Sequence, residues 1–486
     1  MRRRFLLAAL ALVLFALVAT ANSGGYRYGV SDHAFYVPAI AKSLDASLFP
    51  RDTAVLDVQK RAWLGDDILA AISRTTRLDL PLLALMGYIL GLVVLVAGAM
   101  FLARGLHVSS WTMMAALALL TLRHRIPRTG ANSLEGYFHP RMIAFAIGLW
   151  AFGCVVRRRP IAAVCFVALA AVAHPTTALW FGAAVAVAIA WQIDRRGLWA
   201  LALPFVAGVV WLATSGVRLD AEWLSVIGGK DYLFPMAWPA YAWAANLAYP
   251  VVVWAIYQRR RTFGAVVGGE TGLVVGLLVL AGIFVISVPF TAANVALVVQ
   301  LQVPRVFWVL DAVVVIYLAW WVVEDFGGAR NYLWRPAVVA VFAGVAVARG
   351  YYVLAIDSNR PLAFWTLPAD DWTQAMDFLR HQPNTINVLA DPQHALKYGT
   401  SVRVAAWRDT VLETAKDSAM AMYDRPLAVR VADRAATLDG FEDMSGDQIR
   451  AMGVRFNADV LVMDKTRRFN FPVLYENSRF VVYALR

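Results

Sequence analysis

Long apolar runs recur along the chain at lengths suited to crossing a bilayer, and polar stretches of uneven size separate them. A helix needs about 17–25 apolar residues to cross a hydrocarbon core of roughly 30 Å. By that measure spans are expected near 5–22, 81–103, 106–122, 138–156, 160–174, 175–193, 198–214, 241–257, 271–290, 306–323 and 335–356, the third and fifth being short. After residue 357 the pattern changes to that of a soluble α/β domain. There DDWTQAMDFLRHQ sets Trp372, Ala375, Met376 and Leu379 on one helical face, while INVLAD, DVLVMD and RFVVYAL are short apolar runs with polar ends, as strands are. FPVLYENSRFVVYAL reads as a closing hairpin around Glu476, Asn477 and Ser478. The expected fold is a polytopic α-helical membrane domain over 1–356, with about eleven transmembrane helices and a large first outer loop at 23–80. An extracytoplasmic α/β domain follows over 357–486.

Composition agrees: 60% of the 486 residues are hydrophobic and only 16% are charged, a balance rare in soluble chains of this size. The formal charge of +12 does not point to nucleic acid, because the basic residues sit in short clusters between apolar runs. Arg2 to Arg4, Arg104, Arg157 to Arg159, Arg195 with Arg196, Arg259 to Arg261, and Arg330 with Arg335 all fall on one side of the predicted topology. The positive-inside rule then puts the N-terminus in the cytoplasm and the C-terminal domain outside, in a multi-pass protein of the plasma (inner) membrane. MRRRFLLAALALVLFALVATANS has the basic and apolar regions of a signal peptide, and its length favours a retained helix, with cleavage as the alternative. Cys154 and Cys165 lie in apolar segments without disulfide or zinc spacing.

The outer loops carry the chemistry. LRHRIPRTGANSLEGYFHPR holds Arg123, Arg125, Arg128 and Arg141 on the outer side, against the charge bias, and an anionic ligand is the simplest reason. In SDHAFYVPAIAKSLDASLF, Ala34, Val37, Ile40, Ala41 and Leu44 recur at helical spacing, so the segment is expected to lie as an amphipathic helix in the membrane interface. Asp32 stands at its N-terminal end. Helix capping accounts for an aspartate there without any function; the functional reading is a general base where the aqueous and lipid phases meet. On the same side lie Glu135, His139 and Arg141 before the fourth span, His174 at the outer end of the fifth, and Gln302 with Arg305 before the tenth. Each alone is explained by snorkelling to the interface; several together read as a pocket with cations suited to a phosphate.

With these features in place, the chain resembles the GT-C superfamily of integral membrane glycosyltransferases, whose mannosyl-, arabinosyl- and aminoarabinosyl-transferases use polyprenyl-phosphate sugars. The matching features are a cytoplasmic N-terminus, a large first outer loop with an acidic residue soon after the first span, about eleven spans and an outer C-terminal α/β domain. Architecture matches over nearly the whole chain, whereas residue-level matching is confined to Asp32 and, more loosely, Glu135. The resemblance implies inverting transfer of a sugar from a polyprenyl-phosphate donor to an extracytoplasmic glycan, lipid or protein acceptor, in contact with membrane lipid. Asp32 would then be the base and Glu135 a second carboxylate or sugar contact. Arg141 and Arg305 would meet phosphate, with His33, His174 and Gln302 as further substrate-binding groups. Some members carry adjacent acidic residues in the first loop, but here Asp32 is followed by His33. No cofactor is therefore expected, and the departure speaks against a divalent metal. Asp52 and Asp57 offer further carboxylates, in a proline-bounded stretch that reads as a solvated turn.

Two alternatives stay open: a lipid or polysaccharide transporter or flippase, and a non-catalytic membrane scaffold. For the former, Asp311 is the nearest thing to an intramembrane charge, with Arg305 six residues earlier in reach of it. Trp223, Tyr232, Phe234 and Trp238 read as interfacial aromatics, and the Asp391 to His394 and SVRVAAWRD stretches as structural polar residues.

Overall fold

The computed structural model describes residues 2–194, 196–326 and 333–486. Arg195, Arg330 and the side chains of Arg2, Arg3 and Arg4, all part of the charge pattern, lie outside the described residues. A helix stands at each predicted span. Among the described residues, six helical stretches are long and apolar enough to cross a membrane: Leu80–Gly105, Pro175–Ile193, Gly197–Ser215, Glu270–Ala292, Ala296–Phe326 and Trp334–Asp357. Ala9–Asn22, Ser110–Leu120, Pro140–Val156 and Pro160–Ala173 are apolar but shorter. Proline opens three of these helices, at Pro140, Pro160 and Pro175, where its missing N–H costs nothing.

Contacts group the chain into two units. Unit one joins Met1–Tyr26, Met86–Leu219 and Lys230–Ala363. Small residues let its helices approach closely: a Cβ on Gly276 would stand 2.3 Å from the carbonyl oxygen of Ala184 on the Pro175–Ile193 helix. At one end of the bundle, Arg260 and Glu270 form a fully buried ion pair with Nε to Oε1 at 2.6 Å, and the Tyr317 hydroxyl donates to the same oxygen at 2.8 Å. That cluster ties three helices together with its charges satisfied, the condition under which a buried pair is tolerated.

Unit two joins Arg27–Leu85, Asp220–Gly229 and Phe364–Arg486, so parts of the first loop belong with the C-terminal residues. Its sheet contains β1 (Asn387–Leu389), β2 (Asp409–Thr410), β3 (Val460–Asp464), β4 (Val473–Glu476) and β5 (Phe480–Ala484), in the order β2-β1-β3-β5-β4. The β1 strand pairs parallel with β2 and β3, while β3 with β5 and β4 with β5 pair antiparallel. The expected hairpin is present, closed by the Asn477 N–H donating to the Phe480 carbonyl at 3.0 Å. The Asp371–Arg380 helix starts in a capping box between Asp370 and Thr373. It buries Trp372, Ala375, Met376 and Leu379 against Val388, Val460, Val462, Phe480 and Val482, the face read from the sequence.

Candidate functional site

Asp32 belongs to unit two, at the start of the His33–Leu44 helix. Two residues with positive φ, Gly29 at 81° and Ser31 at 52°, turn the chain into that helix. The Gly29 N–H donates to His33 Nδ1 at 2.9 Å, which fixes the buried imidazole. Asp32 occupies the N-cap position, but its side chain makes no capping bond. Its carboxylate accepts from Lys416 Nζ at 2.6 Å. Capping therefore does not explain Asp32. The helix itself corrects the sequence reading: residues His33 to Ala41 are all buried, so it is enclosed by protein on every side and is not an amphipathic surface helix.

Lys416 lies in the Thr414–Ala421 helix, next to a buried polar network. The Asp52 carboxylate is fully buried and accepts from Arg403 Nε at 2.9 Å, the Thr410 N–H at 3.0 Å and Arg430 at 3.1 Å. Arg403 also binds both oxygens of Asp417, at 2.7 and 3.1 Å. Despite burial, Arg403 and its companions hold the Asp52 carboxyl below the usual carboxylate range. Asp52 is thus neither a solvated turn residue nor an open carboxylate; Asp57 is exposed on the Thr53–Ala62 helix. The Asp391 to His394 and SVRVAAWRD stretches meet in this network. Ser401 donates to Glu413, and the Val402 N–H donates to His394 Nε2 at 3.2 Å. Burial pushes Glu413 up to about 7 and His394 down to about 4. One Glu413 oxygen, Oε1, is buried without a hydrogen-bond partner among the described residues.

Glu135, Arg141 and His174 belong to unit one, where Glu135 and Arg141 form an ion pair. A short hairpin pairing Arg125–Ile126 with Ala131–Asn132 shapes the loop before the Pro140–Val156 helix. Glu135 is buried and accepts from Arg141, from Arg123 at 3.4 Å and from Asn132 Nδ2 at 3.2 Å. Arg141 also donates to the Gly130 carbonyl at 3.2 Å and lies 5.9 Å from the Trp308 ring. His139 caps the helix that carries Arg141, and its ring is 6.2 Å from that of His174, which caps the next helix but one through Thr177. Arg128 pairs with Asp231, so three of the four guanidiniums of the Arg123 to Arg141 stretch are already held by carboxylates.

Gln302 and Arg305 share one turn leading into the Val306–Trp320 helix, where the Arg305 N–H donates to the Gln302 carbonyl at 3.0 Å. Gln302 has φ 51°, a left-handed conformation costly for a non-glycine residue. Asp311 is met by His124 at 2.9 Å and by the Tyr249 hydroxyl at 3.2 Å, in place of the Arg305 contact expected from the sequence. Trp223 donates to the Ala421 carbonyl, and Trp238 donates to that of Asp231 while stacking on Phe284, so both indoles are packing residues. Among the described residues, no group of three or more His, Cys, Asp or Glu side chains is placed to hold a metal ion.

The residues read from the sequence as one pocket thus divide between two units, with Asp32 and His33 in one and Glu135, Arg141, His174, Gln302 and Arg305 in the other. Lys416 escaped the sequence reading because 384 positions separate it from Asp32, and nothing local to TAKDSAM marks it.

No protein-family model matches the chain, and no curated protein matches it. Among solved structures it is similar to the oligosaccharyltransferase of Archaeoglobus fulgidus. One such structure is tethered through a disulfide bond to an acceptor peptide containing the NVT sequon, and another is in the apo form. In both, the likeness covers 94% of this chain and 69% of the other, at 12% sequence identity and a TM-score of 0.47.

Proposed function

We propose that the chain is a membrane glycosyltransferase of the GT-C type, which moves a sugar from a polyprenyl-phosphate donor to an extracytoplasmic glycan, lipid or protein acceptor with inversion at the anomeric carbon. One observation carries the reading: the Asp32 carboxylate stands at a helix start without capping it and is held by a lysine ammonium. A carboxylate committed to backbone N–H groups is spent on structure, whereas one paired with a flexible lysine can exchange that partner for a hydroxyl. In the reaction, Asp32 takes the proton of the acceptor hydroxyl as its oxygen bonds to the anomeric carbon, and the bond from that carbon to the phosphate oxygen breaks. The electron pair leaves with polyprenyl phosphate, already a stable anion.

Within unit one, the loop arginines are the cationic groups suited to a phosphate. The Glu135 carboxylate is engaged by Arg123, Arg141 and Asn132, which supports a positioning role in aiming Arg141 more than a role as second base. Arg305 is a second phosphate contact, and His33, His174 and Gln302 are orienting groups. The same reading takes all of the predicted spans as crossing the bilayer, with the arginine clusters cytoplasmic and unit two outside.

The test is to reconstitute the protein in lipid vesicles with a panel of polyprenyl-phosphate sugars and an envelope-glycan extract, and to follow the lipids by mass spectrometry. Conversion of one donor to free polyprenyl phosphate is expected. Movement of intact lipid across the bilayer, with every sugar retained, would replace the transferase with a transporter.

A further inference from the structure

Unit two contains a feature that the transfer reaction does not use: an open groove of about 660 Å³, within the size range of small-molecule sites. One wall is the outer face of the Asp371–Arg380 helix, where Thr373, Gln374, Asp377 and Arg380 recur at helical spacing opposite the buried Trp372, Ala375, Met376 and Leu379. Aromatic residues line the groove as well, Phe378 from the same helix and Tyr28, Trp407 and Tyr475 from distant parts of the chain. The rings of Phe378 and Tyr475 stack at 5.1 Å and 19°, and Trp407 and Tyr28 complete the lining.

Trp407 is the unusual residue. Its φ is 55°, the left-handed region, which a bulky side chain enters only when its surroundings force it. The force is visible: the buried Arg408 guanidinium donates to the carbonyl of Trp407 itself at 2.8 Å and to those of Arg380 at 2.6 Å and Gln382. One arginine thus locks the strained turn to the end of the helix that forms the other wall. The Arg380 guanidinium then lies 4.1 Å from the centre of the Trp407 ring, exposed, and makes no hydrogen bond to protein among the described residues. Gln374 and Asp377 are likewise exposed, and among the described residues the Asp377 carboxylate is approached by His381 at 4.0 Å.

We propose that this groove is a saccharide-binding site. Sugar rings present C–H faces that pack on aromatic planes and hydroxyls that pair with amide, carboxylate and guanidinium groups. The groove offers both, on supports fixed before any ligand arrives. An aliphatic ligand would leave Gln374, Asp377 and Arg380 desolvated without partners. The strain at Trp407 has no packing purpose that a glycine would not serve better. The site stands whether or not the chain transfers sugar.

The test uses the full chain in lipid nanodiscs. Saturation-transfer NMR and calorimetry are run with mannohexaose, cellohexaose and an arabinan oligosaccharide, and an extended valine-rich peptide probes the exposed edge strand β4 beside Tyr475. At least one saccharide is expected to bind wild type. Trp407→Ala and Asp377→Asn should each weaken it tenfold or more, and Trp407→Gly should abolish binding without lowering the melting temperature. Failure of all three saccharides would overturn the proposal, as would unchanged affinity in Asp377→Asn, whose exposed position keeps the fold intact. So would displacement of the sugar by the peptide, which would make the groove a strand-docking edge.

Discussion

Two aspartates twenty residues apart have opposite settings. Asp52 is enclosed by Arg403, Arg430 and a backbone N–H, whereas Asp32 meets a lysine in a partly exposed pair. Removing one partner of a buried pair strands the other charge, so Arg403→Met should destabilise unit two by about 3–5 kcal/mol. Asp32→Asn should cost less than Arg403→Met, because the Asp32 and Lys416 side chains keep 23% and 14% of their surface exposed whereas those of Asp52 and Arg403 keep none to 1%. Hydrogen exchange over unit-two peptides of the full chain reads both. The same network makes stability depend on pH. Burial raises Glu413 from 4.5 to about 7, so the folded state holds that proton more tightly than the unfolded chain does. Its contribution is complete below pH 4.5 and is lost as pH rises through 7. Burial lowers His394 from 6.5 to about 4, so its contribution is present above pH 6.5 and lost as pH falls through 4. Glu413→Gln is therefore expected to gain on the order of 2–3 kcal/mol over wild type at pH 8 and little at pH 5; an equal effect at both would remove Glu413 as the titrating group. Sequence singled out Asp32 because a polar residue after an apolar run is conspicuous. It missed Lys416 and misread Asp52, because ion pairs across hundreds of residues leave no local pattern.

Periodicity served best for the elements. The inward face of Asp371–Arg380, the closing hairpin and a helix at every predicted span were legible, since burial imposes the periods of 3.6 and 2 directly on the sequence. The His33–Leu44 helix was legible as a helix but not as a fully enclosed one: its polar residues gather at both ends, and an apolar middle with a few aromatics looks the same beside lipid as inside protein. Helix approach at Gly276 gives a prediction at this scale. Val at that position would push against the backbone of Ala184, which cannot yield as a side-chain end can, so Gly276→Val should lower the melting temperature by several degrees, while Gly208→Val, with open space around it, should leave it unchanged. Differential scanning fluorimetry in detergent separates the two variants. Glu135→Gln tests the loop: with its carboxylate gone, Arg141 loses its aim, and donor affinity should fall about tenfold with a smaller effect on turnover at saturation.

At the scale of the whole molecule, six helical stretches among the described residues meet the length and apolarity of a membrane span without further argument. The remaining predicted spans rest on the arginine pattern, which assigns them alternate sides. Cysteines introduced at exposed positions test that assignment with an impermeant thiol reagent. Arg261→Cys should be protected in intact cells and Asp439→Cys labelled; the reverse would turn the protein over in the membrane and remove an extracytoplasmic acceptor from the account.

The most direct test of the central claim is the initial rate of sugar loss from the preferred polyprenyl-phosphate donor, by wild type and by Asp32→Asn at equal folded protein. General-base catalysis contributes about 10²–10⁴ in rate, so the variant should fall below about one per cent of wild type while still binding donor. Equal rates would leave a transferase whose base is another group, and would contradict the role given to Asp32.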